Sequence, residues 1–149
     1  MQQLRAYPVP ALKDNIMTSK KVVICTDGAS LGNPGLAAVG AVVEDEQGRL
    51  ITLVSRCIGE ATNNQAEYTA IIVALEEAIR LGAEEVDVRS DSQLVVRQIQ
   101  GEYRVKNASL KPLYKRIKRL QESLKGFTIT HIPGRQNNEA HKLAHLALR

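Results

Sequence analysis

The sequence predicts one α/β domain in which a five-stranded mixed sheet is flanked by helices. Its 149 residues match the size of a domain with a single core. Three apolar, β-branched segments joined by short turns come first, and two further strands then alternate with segments of helical period. Short turns favour antiparallel pairing of strands one to three, whereas helical crossovers favour parallel pairing for strands four and five.

Residues 1–18 contain no predicted helix or strand. They follow neither the helical nor the strand period and include Pro8 and Pro10, so we expect a disordered or extended tail ahead of a domain spanning residues 19–149. The tail has no apolar stretch followed by a small-residue cleavage site, and no secretory leader is therefore predicted.

The three leading strands are predicted at residues 21–26, 37–43 and 50–58. The first is expected to end at Asp27 and Gly28, because this dipeptide is typical of turns. A long helix follows, for which Thr62 and Asn63 can serve as caps. It places alanines at positions 66, 70, 74 and 78 on one face and ends at about residue 81.

Strands and helices alternate in the C-terminal half. Residues 85–89 form the fourth predicted strand, and a short helix then runs to near Gly101. Ser109 is expected to cap a basic helix. Residues 127–132 form the fifth strand, and the last helix begins at about Asn138.

Basic residues are concentrated in one segment of the chain. The formal net charge is +4, and residues 104–125 carry eight basic side chains against Glu122 alone. Two interpretations stay open. The basic side chains lie largely opposite an apolar stripe and could form a solvated helix face, or they could bind a polyanion.

The composition also limits the compartment. No apolar run approaches the roughly 20 residues that a membrane-spanning helix needs, so no membrane association is predicted. Cys25 and Cys57 lie within apolar β-type segments and are expected to be small buried side chains in a reducing environment. We therefore expect a cytoplasmic protein, and nothing in the sequence indicates an obligate protein partner.

Three carboxylates occupy related positions in the predicted topology. Asp27 follows strand one, Asp91 follows strand four, and Glu67 lies in the first turn of the long helix. If strands one and four are parallel neighbours, their carboxyl ends open on one edge of the sheet, where ligands of α/β proteins bind. Each acid could instead serve locally, as a turn former or near a helix N-terminus. Clustered carboxylates would favour Mg²⁺ or Mn²⁺.

Four motifs resemble those of type I ribonucleases H, in the order of that family. They are T-D-G-A-S-L-G-N-P-G at residues 26–35, T-N-N-Q-A-E-Y at 62–68, S-D-S-Q-L-V at 90–95 and H-I-P-G-R-Q-N-N-E-A at 131–140. The resemblance covers the chain from residue 21 to the C-terminus. It implies the ribonuclease H fold and a metal-dependent endonuclease that hydrolyses the RNA strand of an RNA/DNA hybrid.

The resemblance also implies a site. Asp27, Glu67 and Asp91 match three of the four acidic ligands of a pair of Mg²⁺ or Mn²⁺ ions, which would leave 5′-phosphate and 3′-hydroxyl ends. The side chains that match hybrid-contacting positions are amides, which can both donate to and accept from a 2′-hydroxyl. These amides are Asn33, Asn63, Asn64 and Gln93. Thr62 and Asn107 match positions that hold a DNA phosphate.

The chain departs from the family at the fourth acidic position, where E-A-H-K-L-A places His141 instead of an aspartate. An imidazole can bind a metal but carries no negative charge, so we expect weakened catalysis with a preference for Mn²⁺. The loop that carries an auxiliary histidine in many members is shortened here. Arg135 is our candidate for that role, with a phosphate-contacting surface arginine as the alternative, while His131 aligns with a strand end. His145 could chelate a metal with His141 or be a surface residue.

The sequence is also compatible with three other interpretations. The chain could be a catalytically inactive hybrid-binding module, as the histidine at position 141 suggests. It could be a ribonuclease H-like domain cut from a larger chain such as a reverse transcriptase. It could also be a structural α/β domain that happens to be basic, an interpretation that four ordered motifs disfavour.

Overall fold

A computed structural model describes residues 20–149, and the predicted tail at residues 1–18 lies outside the described residues. The strands are β1 Lys21–Ser30, β2 Gly35–Asp45, β3 Leu50–Ala61, β4 Glu85–Ser90 and β5 Gly126–His131. The helices are α1 Asn63–Arg80, α2 Gln93–Ile99, α3 Lys111–Glu122 and α4 Asn138–Ala147, with a 3₁₀ turn at Gly134–Gln136.

The strands form one mixed sheet in the order β3-β2-β1-β4-β5. β2 pairs antiparallel with both β1 and β3. β4 pairs parallel with both β1 and β5. The predicted α/β class, with an antiparallel first half and a parallel second half, is therefore confirmed.

Strand β1 is longer than predicted. Its parallel pairing with β4 ends at Thr26 and Ser90, but its antiparallel pairing with β2 continues to Ser30. The expectation that Asp27 and Gly28 form a turn at the strand end is wrong. A β-carbon on Gly28 would lie 2.3 Å from the carbonyl carbon of Ala66, so the glycine allows α1 to approach the strand.

Helix α1 begins and packs as the sequence predicts. Thr62 is its N-cap, and the Thr62 and Gln65 side chains each bond the other's backbone N–H in a capping box. The alanines at positions 66, 70, 74 and 78 are buried against the sheet. In the core beside them, the Tyr68 hydroxyl donates to Gln98 Oε1 at 2.6 Å.

Helices cover both faces of the sheet. α1 packs on β1 and β2 and contacts α2 and α3, whereas α4 packs on β1, β2 and β3. On the α4 side, a β-carbon on Gly40 would lie 2.2 Å from Ala140 O. The missing side chain therefore lets the backbone of α4 lie directly on β2. Within the described residues, no helix combines the length and apolarity needed to cross a bilayer.

Two local expectations are wrong. Leu110 occupies the N-cap position of α3 and makes no side-chain cap bond. Ser109, the predicted cap, instead donates from its hydroxyl and its N–H to Asn107 Oδ1. Cys57 is exposed rather than buried, because it lies on the edge strand β3, in a run of exposed residues. Cys25 is half-buried.

Candidate active site

Three carboxylates meet beside the end of the β1–β4 pairing. Asp27 lies one residue beyond the last β1 residue that pairs with β4, and Asp91 directly follows β4. Glu67 reaches them from the second turn of α1, not from the first as expected. One carboxylate oxygen from each residue lies within 4.8 Å of the others. The predicted convergence of these residues is therefore present.

Two of these carboxyls are buried. Asp27 is 5% exposed and Glu67 is 7% exposed, whereas Asp91 is half-buried. The Gly28 N–H donates to Glu67 Oε1 at 2.9 Å. This bond joins α1 to β1 and sets the direction of the Glu67 side chain toward Asp27.

Burial and mutual repulsion disfavour the ionised forms of the buried pair. Burial, together with the charge of Asp91, raises the pKa of Asp27 to about 6, against opposing contributions from His141 and Gly28. Burial and the neighbouring acids raise the pKa of Glu67 to about 9, although the Gly28 N–H acts in the opposite direction. A bound cation would remove this cost by neutralising the cluster.

His141 lies at the margin of the carboxylate group. Its Nδ1 is 3.0 Å from Asp27 Oδ2, and its side chain is 58% exposed. The group of converging ligand atoms contains the three acids without His141. The ring of His145, one helical turn later, has its centroid 4.2 Å from that of His141.

Sequence reasoning missed Asn137, which anchors α4 beside the site. The residue is 1% exposed, and its Nδ2 donates to the Thr26 carbonyl at 2.8 Å. Because Thr26 precedes Asp27, this bond connects the start of α4 to the strand that carries the central acid. The sequence shows only an asparagine just before the last helix, and neither its burial nor its partner on a distant strand can be read from that position.

Four of the predicted substrate contacts lie at or beside the N-terminus of α1. The Asn63 N–H donates to Asn33 Oδ1 at 3.0 Å. Thr62 Oγ1 accepts from the Gln65 N–H at 3.1 Å, so its hydroxyl proton is left for another acceptor. Asn64 follows in the first turn and is half-buried.

The remaining predicted site residues lie on other segments. Gln93 is exposed at the start of α2, and its amide oxygen can accept from Arg97 at 3.0 Å. Asn107 is exposed before α3. Arg135 is exposed in the 3₁₀ turn, and a β-carbon on the preceding Gly134 would lie 3.7 Å from Asp91 Oδ2. The turn that carries Arg135 therefore adjoins the carboxylate group.

Known proteins are similar to this chain in both sequence and fold. A family model described as reverse transcriptase-like matches residues 25–147. Ribonuclease HI of Halobacterium salinarum is 43% identical over 122 residues, which are 82% of this chain and 61% of that protein. The bifunctional protein Rv2228c of Mycobacterium tuberculosis is 40% identical over 129 residues, which are 86% of this chain and 35% of that protein. The chain thus spans only part of these two relatives.

Two solved structures share the fold over most of the chain. The crystal structure of RNase H1 from Halobacterium salinarum has a TM-score of 0.84 at 41% identity and covers 86% of this chain and 97% of that chain. LC11-RNase H1, isolated from compost and crystallised with an RNA/DNA hybrid, has a TM-score of 0.81 at 42% identity and covers 85% of this chain and 95% of that chain. Together with the family model, these matches establish that the chain belongs to the type I ribonuclease H family.

Proposed function

We propose that this protein hydrolyses the RNA strand of RNA/DNA hybrids with the aid of divalent cations held by Asp27, Glu67 and Asp91. The observation that carries the proposal is the convergence of these three carboxylates within 4.8 Å. The relative crystallised with an RNA/DNA hybrid supports the choice of substrate.

The donor set fits Mg²⁺ or Mn²⁺. All three groups supply hard oxygen ligands, and two of them are buried side by side at a cost that a cation would offset. When bound, a pair of such ions would activate the attacking water and stabilise the leaving 3′ oxygen, which gives 5′-phosphate and 3′-hydroxyl ends.

We assign different roles in holding the ions to different residues of the chain. Asp27 is our candidate for bridging them, because its side chain lies beside those of the other two acids and also contacts His141. The Gly28 N–H holds the carboxylate of Glu67 in place. Asp91 is the most exposed of the three acids and faces the turn that carries Arg135, which we propose for the auxiliary role near the leaving product.

Substrate choice would rest on polar side chains around this group. We assign contacts with 2′-hydroxyls to four amides, which can donate and accept at the same group. These are Asn33, Asn63, Asn64 and Gln93. Thr62 and Asn107 would hold a phosphate of the DNA strand, and Thr62 can donate its hydroxyl proton to that phosphate while its oxygen accepts from the Gln65 N–H.

We further propose that His141 weakens the enzyme without inactivating it. Because an imidazole stands in place of a fourth carboxylate, the site has one negative charge fewer beside Asp27. Its affinity for a second cation is therefore lower. Mn²⁺ accepts nitrogen ligands more readily than Mg²⁺ and should restore more activity.

A cleavage assay on a labelled RNA/DNA hybrid with either ion tests both proposals. His141→Asp should raise Mg²⁺-dependent cleavage by about tenfold or more, because even changes to the residues that support a metal ligand alter metal affinity or activity by about 10–100-fold. Asp27→Asn should abolish cleavage with both ions and serves as the control. No gain from His141→Asp would contradict the proposed role of residue 141.

The second candidate is a hybrid-binding module without catalysis, which the histidine at position 141 favours. It predicts tight hybrid binding and no cleavage by the wild-type chain with either cation. The partial coverage of the mycobacterial relative also leaves the chain open to being one domain of a longer protein. The cytoplasmic location and the absence of an obligate partner stay predictions.

A further inference from the structure

Helix α4 presents two histidines on successive turns of its exposed side. His141 and His145 are four residues apart, and their ring centroids lie 4.2 Å from each other with the rings tilted by 45°. Both side chains are exposed and border a hollow of about 200 Å³. Two imidazoles at this helical spacing can direct nitrogen atoms to one metal ion.

The contact with Asp27 orients the first of these rings. His141 Nδ1 lies 3.0 Å from Asp27 Oδ2. An ionised carboxylate only accepts hydrogen bonds, so Nδ1 carries the proton and the lone pair resides on Nε2. A carboxylate bonded to the far nitrogen is the usual support of a histidine metal ligand, because it fixes both tautomer and ring direction.

We propose that His141 and His145 bind a Zn²⁺ ion through their imidazole nitrogens, at a site separate from the carboxylate group. We also propose that the bound ion holds His141 against Asp27 and thereby inhibits Mg²⁺-dependent cleavage. The inhibitory part rests on the proposed function, whereas the binding part does not.

The two nitrogen ligands favour zinc over magnesium. Zn²⁺ prefers nitrogen and sulfur ligands and completes a tetrahedron readily with water, whereas Mg²⁺ prefers an octahedron of oxygens. Lys142 and Arg149 border the same hollow and repel cations. This repulsion acts on every cation, so the preference for zinc and similar transition metals comes from the nitrogen ligands alone.

Substitutions can distinguish the proposed zinc site from the carboxylate group, because different residues supply the ligands of each. Glu67 belongs to that group, and no described contact links it with either histidine of α4. His145 contacts His141 but is outside the group of acids. Substitution of Glu67 or of His145 should therefore affect one site and leave the other unchanged.

The test is a calorimetric titration of the full chain with Zn²⁺ in excess Mg²⁺. We expect one ion per chain. His145→Ala should weaken this binding by about tenfold or more, since it removes one of two protein ligands. His131→Ala removes an exposed histidine at the end of β5 and should leave binding unchanged, as should Glu67→Gln.

Two results would overturn the binding proposal. One is absence of Zn²⁺ binding by the wild-type chain. The other is binding that is lost in Glu67→Gln but kept in His145→Ala, because the ion would then sit among the carboxylates. In the cleavage assay, His145→Ala should retain full Mg²⁺-dependent activity and lose inhibition by Zn²⁺. Equal inhibition of both proteins would refute the inhibitory part, whereas an inactive wild type would refute the proposed function and leave the binding result intact.

Discussion

Glu67 shows at the scale of one residue how an active site can oppose stability. Its carboxyl is 7% exposed and lies beside two other acids. Burial and those neighbours raise its pKa from 4.5 to about 9, and they raise that of Asp27 from 3.8 to about 6. At pH values between the ordinary and the raised pKa values of these two carboxyls, the folded protein therefore binds more protons than the unfolded chain.

The sign of the pH dependence follows from this difference. Where the folded state binds more protons, the free energy of unfolding falls as the pH rises. The metal-free protein should lose stability from about pH 4 through pH 9, which is the reverse of the trend for carboxyls with lowered pKa. Divalent cations bind the deprotonated acids, so their stabilising effect should grow with pH.

Glu67→Gln should stabilise the metal-free protein at pH 8 by about 1–2 kcal/mol, because it removes the cost of keeping this buried carboxyl protonated well above its ordinary pKa, at a site selected for function. The glutamine oxygen can still accept from the Gly28 N–H. Urea unfolding in EDTA and in Mg²⁺ measures the effect, and the variant should show a flatter pH profile and a smaller response to Mg²⁺. A variant that is less stable than wild type in EDTA at pH 8 would contradict this account.

At the scale of elements, the position of His141 depends on how closely α4 lies on β2. Gly40 makes this approach possible, since a β-carbon there would lie 2.2 Å from Ala140 O and 2.5 Å from Ala144 N. Both contacts involve backbone atoms, which cannot rotate away. Any side chain at position 40 must push α4 outward and carry His141 away from Asp27.

Gly40→Ala should therefore lower the free energy of unfolding by about 3 kcal/mol, at the upper end of the range for overpacked cores. Gly126→Ala is a matched control, because its β-carbon would meet only the flexible side chain of Glu85, at 3.1 Å. Thermal or urea unfolding of both variants provides the comparison. Equal stability of the two would show that α4 adjusts without cost.

Helix α3 contains basic residues with different surroundings. Lys118 Nζ donates to the Ile99 carbonyl at 2.6 Å, and Arg116 pairs with Glu76 at 2.7 Å. Lys111, Lys115 and Arg119 are exposed and border one shallow hollow on the surface. The first two residues serve the packing of the helix, and the other three can meet a phosphate backbone.

Reversal of Lys111, Lys115 and Arg119 to glutamate should weaken hybrid binding at low salt. The slope of log affinity against log salt should also become shallower, by about 0.9 for each phosphate that the helix no longer neutralises. Turnover at saturating hybrid should change little. Arg56→Glu on the edge strand β3 is the control for a surface charge change. Phosphate contacts are strong at about 50 mM salt. If hybrid binding at that concentration is unchanged, this side of α3 is only a solvated face.

At the scale of the whole molecule, the topology can be predicted well from the sequence, because the features that determine it are local. Short turns and helical crossovers determine the pairing directions of the strands, and the places of Asp27 and Asp91 after paired segments then predict their convergence. The extension of β1 beyond Asp27 was not predictable in this way. Asp27 and Gly28 form a dipeptide typical of turns, but here both lie within the strand, and Gly28 allows the close approach of α1. The bond from Asn137 to Thr26 spans 111 residues and depends on the docking of α4, which no local pattern records.

Residues 1–18 are expected to lie outside the domain, and they are outside the described residues. The described part contains a five-stranded sheet with a hydrophobic core of its own. Deletion of residues 1–18 should therefore change the melting temperature by less than about 2 °C, corresponding to less than about 1 kcal/mol for a chain of this size.

A longer deletion, of residues 1–22, provides the control. It removes the Lys20 carbonyl, which accepts from the Glu84 and Glu85 N–H groups at 2.8 and 2.9 Å. It also removes the buried Val22 from the central strand β1. Loss of a buried valine alone costs about 2 kcal/mol, so this variant should melt well below the shorter deletion. If the deletion of residues 1–18 lowered the melting temperature as much as the control, the N-terminal segment would be part of the folded domain, and its boundary would lie before residue 19.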